Sequence, residues 1–489
     1  MKNLKYIAFS VLALGMLACE NELVQDLRDR NSTNEEPLPE LTAGSADFSN
    51  YVAVGASFTA GFTDNALFIA SQENSFPNIM ANAFSNVGGG VFTQPFMNDN
   101  FGGLAIGGNR ITEPRLVFGG AGPVPLESVI GPVTVSTDIA VNNPTGPFSN
   151  LGIPGAKSFH LVAPGYGNIA NFPAAANPYA VRVTGDTPNA SIIELAVAQN
   201  PTFFTLSEVG GNDVLGYATT GGDGSNPITD INTFDASLNA MVGALTSTGA
   251  KGAIGNLPNI TSLSFFTTVA YNPVPLDQAN ANALNQGYAD YNGGVQLALA
   301  ANFITQEEAD ARTINFTASS SNAVVIEDEY LTDLSALGLP NYRQTNPEDL
   351  VLLTAGSLIP QGGGTATPLS DTFVLTIEEQ TEISDATDAY NASLSAVASA
   401  NGLALVDLNS ILVEASTTGI QFDDYFLNTD LVFGGLVSLD GVHLTARGYA
   451  FMANSFLKAI DATYGSNFEA SGNLAKAGNY PTNYSPLLQ

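Results

Sequence analysis

Few residues in this chain can do nucleophilic or acid–base chemistry, so where they stand is informative. Of 489 residues two are histidines, His160 and His443, and one is a cysteine, Cys19. His443 closes the stretch Ser438-Leu-Asp440-Gly-Val-His443, three residues after a carboxylate. That spacing places both side chains on one turn, where Asp440 accepts from one imidazole nitrogen and leaves the other free to take a proton. Such a base needs a hydroxyl to act on, and Tyr51-Val-Ala-Val-Gly-Ala-Ser57 offers one. A β-branched and aromatic run ends at Gly55, and Ser57 stands at the turn before a helix-compatible segment, lifted clear of a sheet with helix N–H groups beside it. Gly210-Gly-Asn212-Asp213 follows a strand-like run, Asn200 to Leu206, which puts an amide donor, Asn212, in a similar loop. Each piece alone has an ordinary reading: Ser57 a capping serine, His443 a packed histidine, Asp440 a turn residue, Asn212-Asp213 a loop-tightening pair.

Together and in order, these stretches resemble the blocks of the GDSL-type, or SGNH, family of serine esterases and lipases. Ser57 matches the nucleophile, Gly155 in Asn150-Leu-Gly-Ile-Pro-Gly155 the glycine, Asn212 the asparagine, and Asp440 with His443 the final pair. The resemblance implies catalytic Ser57, Asp440 and His443, an oxyanion hole made by the N–H groups of Ser57 and Gly155 and the Asn212 amide, and no cofactor. It implies a three-layer α/β/α sandwich with a mainly parallel sheet. One departure stands out: the family's Gly-Asp-Ser-Leu is here Gly55-Ala56-Ser57-Phe58, so the acid that supports the nucleophile loop is missing. His160, in Lys157-Ser-Phe-His160, matches no block and reads as structural. Asp213 reads as a brace for its loop.

Composition narrows the chemistry further. Asp and Glu number 46 against 14 Lys and Arg, a formal charge of −32, while only 12% of residues are charged. So acidic a surface repels phosphate backbones, anionic headgroups and anionic substrates, which argues against nucleic acid and leaves neutral esters. Two histidines and one cysteine supply few ligands for a transition metal. The loop Gly221-Gly-Asp-Gly-Ser-Asn226 could take calcium but reads first as a plain turn.

The N-terminus carries its own message. Met1-Lys-Asn-Leu-Lys5 is basic, Ile7 to Leu17 is apolar but too short to span a bilayer, and Leu17-Ala18-Cys19-Glu20 follows. The pattern resembles a bacterial lipoprotein signal: residues 1–18 removed, Cys19 acylated, and the protein held at the cell envelope, on the outer membrane and facing periplasm or surface. Ordinary secretion with a free Cys19 is the alternative. Residues 19–45 are polar and aperiodic, a flexible tether; the body is expected over 46–465 and a C-terminal tail over 466–489.

Within the body, helix and strand alternate. Ala190–Gln199, Ala236–Ser247, Glu379–Ala400 and Thr445–Ile460 read as helices, and Gly252–Asn256 and Leu403–Leu408 as strands, the grammar of parallel crossovers. Two stretches do not fit it. Residues 86–122 interleave glycine pairs with phenylalanines and are expected to cover a sheet edge rather than wall an acyl chain. Residues 262–371 read as an insertion or cap around at least one core strand, with Ala323–Glu327 the candidate; lid and decoration are equally open. Function thus reads as a serine esterase or lipase acting on lipid or acylated carbohydrate. The alternative is a surface lipoprotein that binds glycan or protein with little activity.

Overall fold

A computed structural model describes residues 37–488. The expected signal peptide, Cys19 and the first part of the tether lie outside the described residues.

Five short strands form the central sheet: β1 (Tyr51–Gly55), β2 (Asn150–Gly152), β3 (Phe203–Ser207), β4 (Lys251–Gly255) and β5 (Ala404–Val406). Their order is β5-β4-β3-β1-β2 and every pairing is parallel. All residues of β1 and β3 are buried, as a sheet covered on both faces requires. The register sets Gly55 opposite both Ser207 and Gly152, so three neighbouring strands release the chain along one edge. The strand order reverses at β1, where open α/β sheets leave a crevice beyond their carboxyl ends.

Helices cover the sheet on both sides. They are α1 (Ser57–Ala60), α2 (Phe76–Ser85), α3 (Ile192–Val197), α4 (Gly211–Thr219), α5 (Ile231–Thr246), α6 (Ile377–Asn401), α7 (Leu408–Thr417) and α8 (Ala446–Tyr464). α8 packs on α2, β4 and β5, while α3 lies on β1 and α5 packs against both α3 and α6. The mixed α/β sequence pattern therefore closes into a three-layer α/β/α body. Caps mark the ends: the Asp230 side chain accepts from the N–H groups of Asn232 and Thr233, and Thr445 Oγ1 accepts from Gly448 N–H at 3.0 Å.

The segment 86–122 does cover an edge. Asn150 N–H donates to Thr93 O at 3.0 Å, Thr93 N–H to Ser149 Oγ at 3.2 Å, and Phe92 stacks on Tyr51. The core strand expected within 262–371 is absent from the central sheet. Val325–Glu327 instead pairs antiparallel with Tyr342–Gln344, a small sheet of its own. Its stability is local: Arg343 forks onto Asp349 at 2.6 and 2.8 Å and reaches Asp328, a buried charge satisfied on both sides. A single short apolar strand cannot declare from its own residues which sheet it will join, and that cluster of acids around Arg343 decides it.

Both ends of the described chain rest on the body. Asn467 donates to Glu40 O and accepts from Thr42 N–H, so residues 40–45, expected within the tether, are tied to the loop after α8. In the tail, Phe468 joins a cluster with Phe48 and Phe84, and Tyr484 meets Phe68 edge-on at 4.9 Å.

Gly152 lets the sheet approach the backbone of α1 closely. A Cβ there would stand 2.2 Å from Ala60 N and 2.6 Å from Thr59 C. Gly152→Ala must push α1 off the sheet and is expected to cost about 1–3 kcal/mol, read as a lower urea midpoint with unchanged slope.

Candidate active site

The β1–α1 turn leaves little choice of residue. A Cβ on Gly55 would fall 2.2 Å from Thr59 Oγ1 and 2.5 Å from Ser207 O. Ser57, 5% exposed, opens α1 with no acid in its first turn. The support comes from the next strand. Glu208, the first residue after β3, accepts from Phe58 N–H at 2.8 Å, Thr59 N–H at 2.9 Å and Ala56 N–H at 3.3 Å. This carboxylate braces the turn from outside it, and does so from a left-handed backbone, φ +59°, unusual for a non-glycine. Sequence reasoning missed Glu208, because nothing in a single chain announces that a residue 151 positions away will fold over the turn. Burial pushes its pKa up, against which the N–H groups of Phe58 and Thr59 and the charge of His443 pull.

Ser57 Oγ donates to Glu208 Oε1 at 3.3 Å; no hydrogen bond joins it to His443. The N–H groups of Ser57 and Gly155 donate to no group among the described residues. Gly155 has φ +78°, and the Gly210 that precedes α4 has φ +103° with Leu257 Cδ1 2.7 Å from a would-be Cβ. Those glycines let the backbone turn sharply under the sheet edge. Asn212 lies in the first turn of α4 and not in the loop before it, and its Nδ2 anchors on Ala156 O at 2.9 Å, tying the start of α4 to the residue after Gly155. Asp213 accepts from Ser158 N–H and Oγ at 2.8 and 2.7 Å, the expected brace.

The expected pair is made. His443 Nδ1 and Asp440 Oδ2 are 2.9 Å apart, and Asp440 Oδ1 accepts from the N–H groups of Val442 and His443. Burial alone would raise the Asp440 pKa; the charge of His443 and these donors outweigh it and hold the carboxyl well below the carboxylate range. The His443 ring lies 5.8 Å from Phe58, within α1, and 4.7 Å from Phe62, just after it, so the pair faces the Ser57 turn.

Two further residues, unremarked in the sequence, hold this loop. Asn65 N–H donates to Asp440 Oδ2 at 2.8 Å, and Asp64 Oδ1 accepts from Leu439 N–H at 3.1 Å while Asp64 N–H donates to Ser438 Oγ at 3.1 Å. Asp64 and Asn65 both adopt left-handed φ, 52° and 62°. An Asp-Asn pair just after the nucleophile helix was the available signal, since these types tolerate that conformation. From the far side, Phe265 N–H donates to Gly441 O at 2.9 Å. His160 is structural: its ring stacks on Tyr166 at 4.5 Å and its Nδ1 accepts from Lys157 N–H.

A cavity of about 90 Å³ opens beside Ser57, Glu208 and Asn212 and is walled by apolar side chains including Leu257, Ile260, Leu408, Leu412, Val442 and Met452. Among the described residues of the 262–371 insertion, Leu263 alone lines it.

No protein-family model and no curated protein sequence matches the chain. Among solved structures, an extracellular lipase from Streptomyces rimosus is similar over 85% of this chain and 99% of its own, with 11% identity and a TM-score of 0.31. A likeness so distant carries no weight for the chemistry, which rests on the residues themselves.

Burial pushes the Asp64 pKa up to about 7, with Asp440 adding to it and Leu439 N–H opposing. A carboxyl raised on folding stabilises fully below its unfolded value and loses that stability as pH climbs through the folded one. Wild-type stability is therefore expected to fall between about pH 4 and pH 7, by on the order of 4 kcal/mol from this group. In Asp64→Asn that slope should flatten, as denaturant midpoints across the range will show. Glu208→Gln has one acceptor oxygen for N–H groups now shared between two, leaving a buried donor unpaired. It should lose about 1–3 kcal/mol at neutral pH in the same assay.

Proposed function

We propose that this chain is a serine hydrolase of the SGNH type that cleaves neutral carboxylic esters through an acyl-enzyme on Ser57. The observation that carries the reading is the Asp440–His443 pair, 2.9 Å apart on one tight turn facing the nucleophile loop. Asp440 fixes the imidazole with Nδ1 occupied, which leaves Nε2 as the base. Rotation of Ser57 Oγ away from Glu208 toward that nitrogen lets His443 take its proton as the oxygen attacks the ester carbonyl. The N–H groups of Ser57 and Gly155 and the Asn212 amide are the donors for the oxyanion. Collapse expels the alcohol, protonated by His443, and water then releases the acid from Ser57 by the same steps in reverse.

The apolar wall beside Ser57 suits an acyl group, and its size speaks to length. About 90 Å³ is less than the roughly 150 Å³ of an engineered cavity that holds benzene. Short acyl groups, such as the acetyl of a decorated carbohydrate, fit better than long lipid chains. The acidic balance of the chain favours a neutral substrate. We further propose that the enzyme is held at the cell envelope by acylated Cys19, with no nucleic-acid partner.

A second reading, a binding module with the same fold, draws on one fact: Ser57 Oγ rests on Glu208 instead of His443. Chromogenic esters from acetyl to palmitoyl separate the two. The enzyme is expected to turn over acetyl to butyryl esters best, with Ser57→Ala lowering kcat by at least about 10³-fold and leaving the melting temperature within a few degrees. Absence of both turnover and serine-directed phosphonate labelling would favour the binding module.

A further inference from the structure

Away from the Ser57 cavity, three acids converge where the 262–371 insertion meets the body. Glu329 lies in the insertion, Asp371 at its end, and Glu379 in the first turn of α6, and one carboxylate oxygen from each lies within 4.8 Å of the others. They grade from exposed Glu329 through half-buried Asp371 to Glu379, which is fully buried. Negative charge dominates the surroundings: Glu327, Asp328, Glu329 and Asp223 all act on Asp371. Burial and these neighbours push Asp371 up to about 7, and burial with the charges of Asp371 and Glu329 pushes Glu379 up to about 8.

Helix capping accounts for half of Glu379. Its Oε2 accepts from Thr376 N–H at 2.6 Å, the acid of a capping box. Its Oε1 is buried and has no hydrogen-bond partner. A carboxylate oxygen so placed costs free energy on the order of 1–3 kcal/mol or more unless something meets it. The opposite wall is backbone. A Cβ on Gly221 would stand 2.1 Å from Asp371 O, and one on Gly222 2.7 Å from Glu379 Oε1, so the Gly221–Gly222 turn is pressed onto these acids with left-handed φ at both residues.

We infer that Glu329, Asp371 and Glu379 form a binding site for a divalent cation of the hard, oxygen-preferring kind, calcium before magnesium. Three carboxylates and no nitrogen or sulfur ligand select calcium or magnesium over zinc or copper. Acids of unequal depth drawn from separate segments suit the irregular shell of calcium better than the strict octahedron of magnesium. The acid of the 221–226 loop, Asp223, acts on Asp371 through its charge; the ligands themselves come from the insertion and α6, which only folding brings together. The ion neutralises the cluster, meets the idle Glu379 oxygen, and clasps the insertion to the helix that packs on α4, the carrier of Asn212.

Titration calorimetry on the purified, EDTA-stripped protein with CaCl₂ or MgCl₂, beside melting curves at ionic strength matched with NaCl, tests this. Calcium is expected to bind saturably near one per chain and to raise the melting temperature by roughly 2–5 °C, with magnesium weaker. Glu329→Gln, an exposed change that leaves the fold alone, should weaken binding at least roughly ten-fold, and Asp371→Asn should abolish it. No saturable heat with either cation, or binding in Glu329→Gln and Asp371→Asn that is unchanged from wild type, would overturn the site.

Discussion

The half-buried carboxylate of Glu208 ties the β1–α1 turn to the end of β3. It leaves β3 in a left-handed turn and takes three N–H groups from the β1–α1 turn, so neither loop can move without the other. An ionised acid in an apolar interior is expensive, and only several well-aimed donors make it tolerable. Those donors are available because β1 and β3 pair in register, Gly55 opposite Ser207, which brings the start of α1 to the residue after β3. Bracing of the turn comes from the neighbouring strand, and it makes the Ser57 turn a tertiary feature.

The Asp440–His443 loop follows the same logic at a distance. Asp440 makes its local bonds to Val442 and His443 on its own, but its orientation depends on Asn65 N–H, and the turn around it is gripped by Asp64 and by Phe265 N–H. Donors arriving from residues after α1 and from the start of the insertion fix the loop against the sheet edge. Rigid placement of this kind is what a proton-transfer geometry requires.

A chain with three times as many acids as bases must manage like charge, and it does so in distinct ways. Asp328 and Asp349 close on the buried Arg343; Asp213, Glu208 and Asp440 are satisfied by backbone N–H groups. Glu329 and Asp371 have neither solution among the described residues, and Glu379 has a backbone N–H for one oxygen only, which sets their cluster apart.

From its residues alone, the chain declared the parts of the fold that local rules control. Apolar runs gave the strands, glycines and Asp or Thr caps the helix ends, and the three-residue spacing of Asp440 and His443 their shared turn, because each of these depends on neighbours a few positions away. The order of candidate residues along the chain pointed to one edge of a parallel sheet for the same reason. Tertiary structure alone decided what joins distant residues: Glu208 over the Ser57 turn, Asp64 and Asn65 on the Asp440 loop, Val325–Glu327 in a separate sheet, and the three acids beside Gly222. None of these has a periodicity or a spacing, since the partners are set by which loops the sheet register brings side by side.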